Sequence, residues 1–155
     1  MDKKVKDKII FSKTLRSMLD AELSVDVPVF GLSMFPFFLP GDVIRVVKAT
    51  ESKLSVGDMI VFGSGNKLVA HRLIKLKLDQ GIVIAKGDGL IKRDAIVNAK
   101  EVIAVAINHY RNNQEIKWSN QRFVKKALSL LSPVLGYVFF YMARIWCKMK
   151  DSKQT

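Results

Sequence analysis

Four side chains in the middle of the chain are of types that can hydrolyse a peptide bond together. Ser33 lies in the stretch GLSMFPFFLPGD, His71 in VAHRLI, and Asp88 and Asp94 in KGDGLIKRD. A serine hydroxyl attacks a carbonyl at neutral pH only when a neighbouring base takes its proton, and a neutral histidine can be this base. A carboxylate on the far ring nitrogen holds that histidine in one tautomer. The residue types therefore predict a nucleophile, a base and an acidic partner.

Each of these residues also has a purely structural interpretation. A serine among glycines and prolines is typical of a turn, and a histidine between apolar residues is typical of a strand. Asp88 stands between two glycines, where an aspartate usually hydrogen-bonds its own backbone, and Asp94 fits a solvated surface carboxylate. Spacing along the chain does not decide whether Asp88 or Asp94 reaches His71. His109, the other histidine, is expected to lie away from this group.

The residues from 27 to 119 have the pattern of a mainly β, coiled antiparallel domain. Short runs of β-forming residues alternate with turns rich in Gly, Pro, Asn and Asp, as in closed or coiled sheets. The predicted strands are VPVFGLS, DVIRVVKA, MIVFGS, LVAHRLIKLKL, GIVIAKGD, EVIAVAINHYR and EIKWS. In this arrangement Ser33 ends the first strand, His71 lies within the fourth, and Asp94 follows the fifth.

Helices are predicted on both sides of the β domain. Residues 1–26 form an amphipathic helix that either packs on the domain or lies in a bilayer interface, because apolar residues recur at helical spacing among lysines. These apolar residues are Ile9, Ile10, Leu15, Met18, Leu19 and Leu23. Residues 120–155 hold a second apolar helix and a basic tail. Its segment 127–143, ALSLLSPVLGYVFFYMA, has 17 residues without a charge and either spans a bilayer, lies on it, or packs on the domain.

The formal net charge of +12 points to an anionic partner. Lysines and arginines crowd the two ends of the chain beside the apolar segments, which favours a membrane surface. The middle of the chain has no basic stripe interleaved with aromatic residues, so a nucleic-acid partner is not expected. Cys147 is the single cysteine, which excludes a disulfide framework. We therefore expect membrane lipid as a partner, with the C-terminal segment as the attachment.

The order of the short motifs GLSMFP, GDVIRV, GDMIVF, AHRLI and KGDGLIKRD resembles that of the type I signal peptidases, over about residues 29–105. The nearest branch is the one typical of archaea and the endoplasmic reticulum, in which a histidine replaces a lysine base. The resemblance implies a signal-peptidase/repressor-type fold, with Ser33 as nucleophile and His71 as base. It also implies Asp88 and Asp94 as acidic site residues, with Asp94 the favoured partner of His71, and it implies no cofactor or metal.

The function implied by the resemblance is a membrane-associated serine endopeptidase that cleaves signal or leader peptides from precursor proteins. Many bacterial members carry an oxyanion-stabilising serine where this chain has Gly31, so backbone N–H groups around Ser33 would take over that task. A glycine and a leucine also replace the two asparagines that usually follow the Lys-Gly-Asp motif. Two alternatives are a self-cleaving protease of the repressor type, which would need a lysine in place of His71, and a non-catalytic β module that binds membrane or a partner.

Overall fold

The computed structural model describes residues 3–50, 54–64, 67–92, 94, 96–117 and 136–149. Within them the protein is mainly β, with one antiparallel sheet and two helices, so the predicted fold class is confirmed at this level. The strands are β1 Val25–Pro28, β2 Val43–Lys48, β3 Met59–Ser64, β4 Lys67–Lys77, β5 Ile82–Lys86, β6 Val97–Asn98, β7 Val102–Arg111 and β8 Gln114–Glu115. Helix α1 is Lys3–Asp20, and helix α2 covers residues 136–149.

The strands form one sheet in the order β1-β2-β7-β3-β4-β5-β6, and β8 pairs with β7. Register shifts interrupt the pairing at residues 45–46 of β2, 61–62 of β3 and 73–75 of β4. Such bulges bend a strand and increase its twist. The predicted strand VPVFGLS is shorter in the structure, because β1 ends at Pro28 and turns begin at Gly31, whose φ is +79°. Ser33 therefore lies in a loop and not in a strand.

Strand β3 is buried on both faces and separates two hydrophobic clusters. Met59 and Val61 face the first cluster, whereas Ile60 and Phe62 face the second. This alternation follows from the period of two in a strand. The first cluster is closed by Leu15 and Leu19 of α1 and by side chains of residues 29–42, which we call the serine loop. The loop that carries Ser33 is thus part of the core packing.

The two helices contact the domain through narrow faces. In α1, Leu15 and Leu19 are buried, while Ile10 and Met18 of the predicted apolar face are exposed. In α2, the ring of Phe139 packs edge-on against that of Phe37 in the serine loop, with the ring centroids 5.4 Å apart. Residues 127–135 of the predicted apolar segment lie outside the described residues. In the described portion of the chain, neither helix has the length and apolarity needed to cross a bilayer.

A buried carboxylate fixes the C-terminal end of the serine loop to β7. Asp42 accepts hydrogen bonds from the backbone N–H of Leu39, from His109 Nε2 and from both Nε and Nη2 of Arg111, each at 2.8 Å. Arg111 also donates to the carbonyl oxygen of Phe37 at 3.1 Å. His109 and Arg111 are two residues apart on β7, so they reach the same face of the sheet.

The charge state of this cluster follows from its burial and its hydrogen bonds. Burial lowers the pKa of His109 below its usual value by more than the hydrogen bond to Asp42 raises it. For Asp42, burial alone would raise the pKa, but the hydrogen bonds from Arg111, Leu39 and His109 hold that pKa below its usual value. The buried Nδ1 of His109 has no hydrogen-bond partner among the described residues. A neutral imidazole that donates from Nε2 fits this arrangement.

The lowered pKa of His109 predicts that the fold is destabilised as the pH falls below the usual histidine range. The unfolded chain takes up a proton on this histidine near pH 6.5 and the folded chain does so only at a lower pH, so the free energy of unfolding should fall as the pH is lowered from about 7.5 to about 5.5. Urea denaturation at both pH values should show a smaller fall for His109→Gln than for the wild type. Asp42 stays ionised throughout, because its hydrogen bonds hold its pKa below the usual carboxyl value despite its burial. An equal fall in both proteins would contradict the assignment.

Candidate active site

The backbone of Ser33 lies directly against the turn of residues 86–90. The N–H of Gly89 donates to the carbonyl oxygen of Ser33 at 2.8 Å. A Cβ atom on Gly87 would overlap that same oxygen, and one on Gly89 would lie 2.7 Å from the carbonyl oxygen of Leu32. Because real Cβ contacts are never this short, both positions need glycine. The glycines around Asp88 thus let the turn approach the serine loop.

His71 lies in β4 with its ring held by a carboxylate. Its Nδ1 is 2.6 Å from Oδ2 of Asp94, and only 5% of the residue is exposed. The backbone N–H of Asp94 donates to the carbonyl oxygen of Ala85 in β5, which places the carboxylate beside β4. When Nδ1 carries the proton and donates it to Asp94, Nε2 keeps a lone pair that can accept another proton. No residue described in the structure forms a hydrogen bond with this Nε2.

Asp88 has a different partner from the one that the sequence left open. Nε and Nη2 of Arg72 donate to its two carboxylate oxygens at 2.8 and 2.6 Å, and Nη1 of Arg72 donates to the carbonyl oxygen of Gly57. Both charged side chains are buried, with 3% and 2% exposed for arginine and aspartate. Successive residues of a strand point to opposite faces, so Arg72 cannot share the face of His71. Asp94 therefore pairs with His71, and Asp88 joins the turn 86–90 to β4.

Ser33 and His71 line the same cavity, which has a volume of about 340 Å³. The rest of its lining is largely apolar and comes from α1, β1, the serine loop, β2, β3, β4 and the turn after β5. These residues are Phe11, Val27, Pro28, Val29, Phe30, Met34, Ile44, Val61, Leu68, Val69, Ala70 and Leu90. Of the sequence-predicted site residues, the structure thus brings Ser33 and His71 to one cavity, with Asp94 behind the histidine.

Two strands present open edges beside this cavity. Among the described strands, β1 is the last one on its side of the sheet, and it pairs with β2 along its whole length. In β4, pairing with β5 begins at Arg72, so among the described strands residues 67–71 pair only with β3. Unpaired strand edges bind extended peptides through backbone hydrogen bonds. Both edges contribute residues to the lining of the cavity.

One supporting cluster was not predicted from the sequence, namely Asp42 with His109 and Arg111. The signal for it was the i, i+2 spacing of two basic side chains on one strand, together with an aspartate in a Pro-Gly-Asp turn.

Among the described residues, no group of three His, Cys, Asp or Glu side chains is arranged to hold a metal ion. Comparisons of the chain with family models, curated proteins and solved structures give no match.

The two aspartates are expected to differ sharply in their effect on stability. Asp88→Ala leaves the buried guanidinium of Arg72 without its partner, which should lower the free energy of unfolding by about 3–5 kcal/mol. Asp94→Ala removes a partly exposed carboxylate and one hydrogen bond to His71, which should cost about 1 kcal/mol. Urea denaturation of the two variants measures both values. Losses of equal size would contradict the separation of their roles.

Proposed function

We propose that the protein is a serine endopeptidase in which Ser33 is the nucleophile, His71 the general base, and Asp94 the group that orients the base. The observation that carries this proposal is the 2.6 Å contact from His71 Nδ1 to Asp94, on a histidine that shares its cavity with Ser33. The order of nucleophile, base and acid along the chain resembles that of the type I signal peptidases. We also propose that the antiparallel sheet has the coiled signal-peptidase/repressor-type fold of that family.

The proposed reaction begins with attack of the Ser33 hydroxyl oxygen on the carbonyl carbon of the scissile peptide bond. His71 Nε2 takes the hydroxyl proton, and Asp94 stabilises the imidazolium that forms. The tetrahedral intermediate then collapses, the C–N bond breaks, and Nε2 gives its proton to the leaving amine. A water molecule then enters, loses a proton to Nε2 and attacks the ester carbonyl carbon. The C–O bond to Ser33 breaks and Nε2 gives its proton to the serine oxygen, which releases the acid and restores the hydroxyl.

Negative charge on the substrate oxygen needs a donor, and the backbone supplies one. Among the described residues, the N–H of Ser33 makes no hydrogen bond within the protein. The carbonyl oxygen of Leu32, in the same planar peptide group, accepts from the N–H of Phe35 at 3.1 Å, which fixes the orientation of the Ser33 N–H. One well-placed donor of this kind contributes about 3–4 kcal/mol to stabilising the transition state. This backbone group can replace the side-chain hydroxyl that the chain lacks at Gly31.

The proposed substrate is an extended peptide, such as a signal or leader segment of a precursor protein. Such a segment can form backbone hydrogen bonds with the open edges of β1 and of residues 67–71 in β4. Its apolar side chains would enter the cavity that Ser33 and His71 line. The apolar lining favours uncharged side chains just before the cleaved bond, because an unpaired charge in such a cavity is costly.

The proposed location is an anionic membrane surface, with α2 as the attachment. The face of α2 that points away from the domain carries six exposed large apolar side chains, namely Tyr137, Val138, Tyr141, Met142, Ile145 and Met149. The chain has 26 lysines and arginines against 14 acidic residues, which favours binding to anionic lipid. A helix with this apolar face can lie in the interface plane of a bilayer.

Ser33→Ala is expected to abolish cleavage of a co-expressed leader-peptide precursor while leaving the fold intact, because the nucleophile is lost and a small side chain remains. Asp94→Asn should lower kcat by several orders of magnitude, since an amide favours the wrong tautomer of His71. The measurement is precursor processing by mass spectrometry, with urea denaturation as the fold control. Ser64→Ala, on a serine at the end of β3, is the matched control and should retain activity. Undiminished cleavage by folded Ser33→Ala would exclude this mechanism.

The proposed membrane contact predicts binding to phosphatidylglycerol-containing vesicles. Tyr141→Glu together with Ile145→Glu should weaken that binding by at least roughly tenfold, because two apolar side chains are replaced by charges that anionic lipid repels. Vesicle co-sedimentation measures the bound fraction. Ile96→Glu, on an exposed isoleucine before β6, is the control and should cost much less. Equal binding by all three proteins would contradict the assignment of α2.

A further inference from the structure

A second cavity, of about 390 Å³, lies on the α2 side of Ser33. It shares Ser33 and Leu90 with the first cavity, but His71 does not line it. Its remaining lining comes from Leu32, Gly89 and five residues of α2, two of which are Arg144 and Lys148. Ser33 is therefore shared by an apolar cavity and by a cavity whose lining includes two cations.

The position of α2, and so of these cations, is fixed by contacts with the serine loop and with the turn 86–90. Gly136 lies against the carbonyl oxygen of Leu90, where a Cβ atom would overlap it. The ring centroid of Trp146 is 6.0 Å from that of Phe35. Phe139 and Trp146, which make the aromatic contacts with the serine loop, lie before and after Arg144 in the sequence. Packing therefore determines which side of the helix faces the cavity.

Arg144 and Lys148 are four residues apart on α2 and lie on the same face of the helix. The guanidinium of Arg144 is 5.9 Å from the centroid of the Phe140 ring, which also lines this cavity. Neither cation forms a salt bridge with an acidic side chain of the described residues. Two cations at a cavity with no carboxylate partner favour an anionic ligand.

The two cavities define the course of a peptide that is cut at Ser33. We place the residues before the scissile bond in the first cavity, which Ser33 and His71 both line. The Ser33 hydroxyl must reach the carbonyl carbon of that bond there, with His71 beside it. The second cavity adjoins Ser33 but not His71, so it is available to the residues after the bond. We propose that Arg144 and Lys148 bind an acidic side chain in the first few residues after the cleaved bond. This inference rests on the proposed endopeptidase function and names a specificity that the catalytic residues do not determine.

The test uses soluble peptides of one apolar leader sequence, with Glu, Gln or Lys as the second or third residue after the cleaved bond. Wild-type protein should cleave the Glu peptides with a kcat/KM roughly tenfold above that of the Lys peptides, and added salt should reduce this ratio. Arg144→Glu with Lys148→Glu should reverse the order. The matched control is Lys75→Glu with Lys100→Glu, which makes the same change in net charge at exposed sites outside both cavities.

Binding to the Ser33→Ala variant separates a failure of this inference from a failure of the proposed function. Fluorescence anisotropy should show tighter binding of the Glu peptides than of the Lys peptides, whether or not the wild type cleaves either. Cleavage with no charge preference, or a preference that the control pair abolishes equally, would overturn the inference and leave the endopeptidase function intact. Loss of vesicle binding in Arg144→Glu/Lys148→Glu, with an unchanged peptide preference, would assign the cations to lipid phosphates and would also overturn it. Should that variant unfold, Arg144→Gln with Lys148→Gln must still remove the preference.

Discussion

The hydrogen bond from the Gly89 N–H to the carbonyl oxygen of Ser33 is the contact on which the arrangement of the site depends. It joins the serine loop to the turn after β5, and the neighbouring Asp88 joins that turn to β4 through its ion pair with Arg72. Arg72 follows His71 in the chain. Ser33 and His71 are thus connected by a short series of contacts through Gly89, Asp88 and Arg72. Such support is what keeps a catalytic geometry within a fraction of an ångström.

Both faces of strand β4 contribute a side chain to the site. His71 points to the cavity and Arg72 points to the other face, because side chains alternate along a strand. A buried ion pair adds little net stability compared with apolar packing, but breaking it is costly. The main role of the Arg72–Asp88 pair is therefore to fix the position of the turn 86–90 relative to β4. At the other end of the serine loop, Asp42 fixes the chain to β7 and is held ionised by Arg111.

The sequence predicted the elements of the site better than their contacts. The mainly β class followed from alternation and turn residues. The residue types of Ser33, His71 and Asp94 suggested the chemistry that we propose for them. The choice between Asp88 and Asp94 was open, because it depends on which side of β4 each turn residue reaches. Ser33 was placed at the end of a strand, and the structure places it in a loop because the backbone turns at Gly31, whose φ is positive. The long-range pairing of Asp42 with β7 was missed, because nothing local in the turn indicates its partner.

The central claim is that Ser33 is activated by His71, and covalent labelling tests it most directly. A small serine-directed acylating probe should give a single adduct on Ser33, located by peptide mass spectrometry. The rate of labelling should fall by several orders of magnitude in His71→Gln, because nothing else then removes the hydroxyl proton. His109→Gln, which lacks the other histidine, should be labelled at close to the wild-type rate. Equal labelling of wild type and folded His71→Gln, or no adduct on folded wild type, would contradict the account.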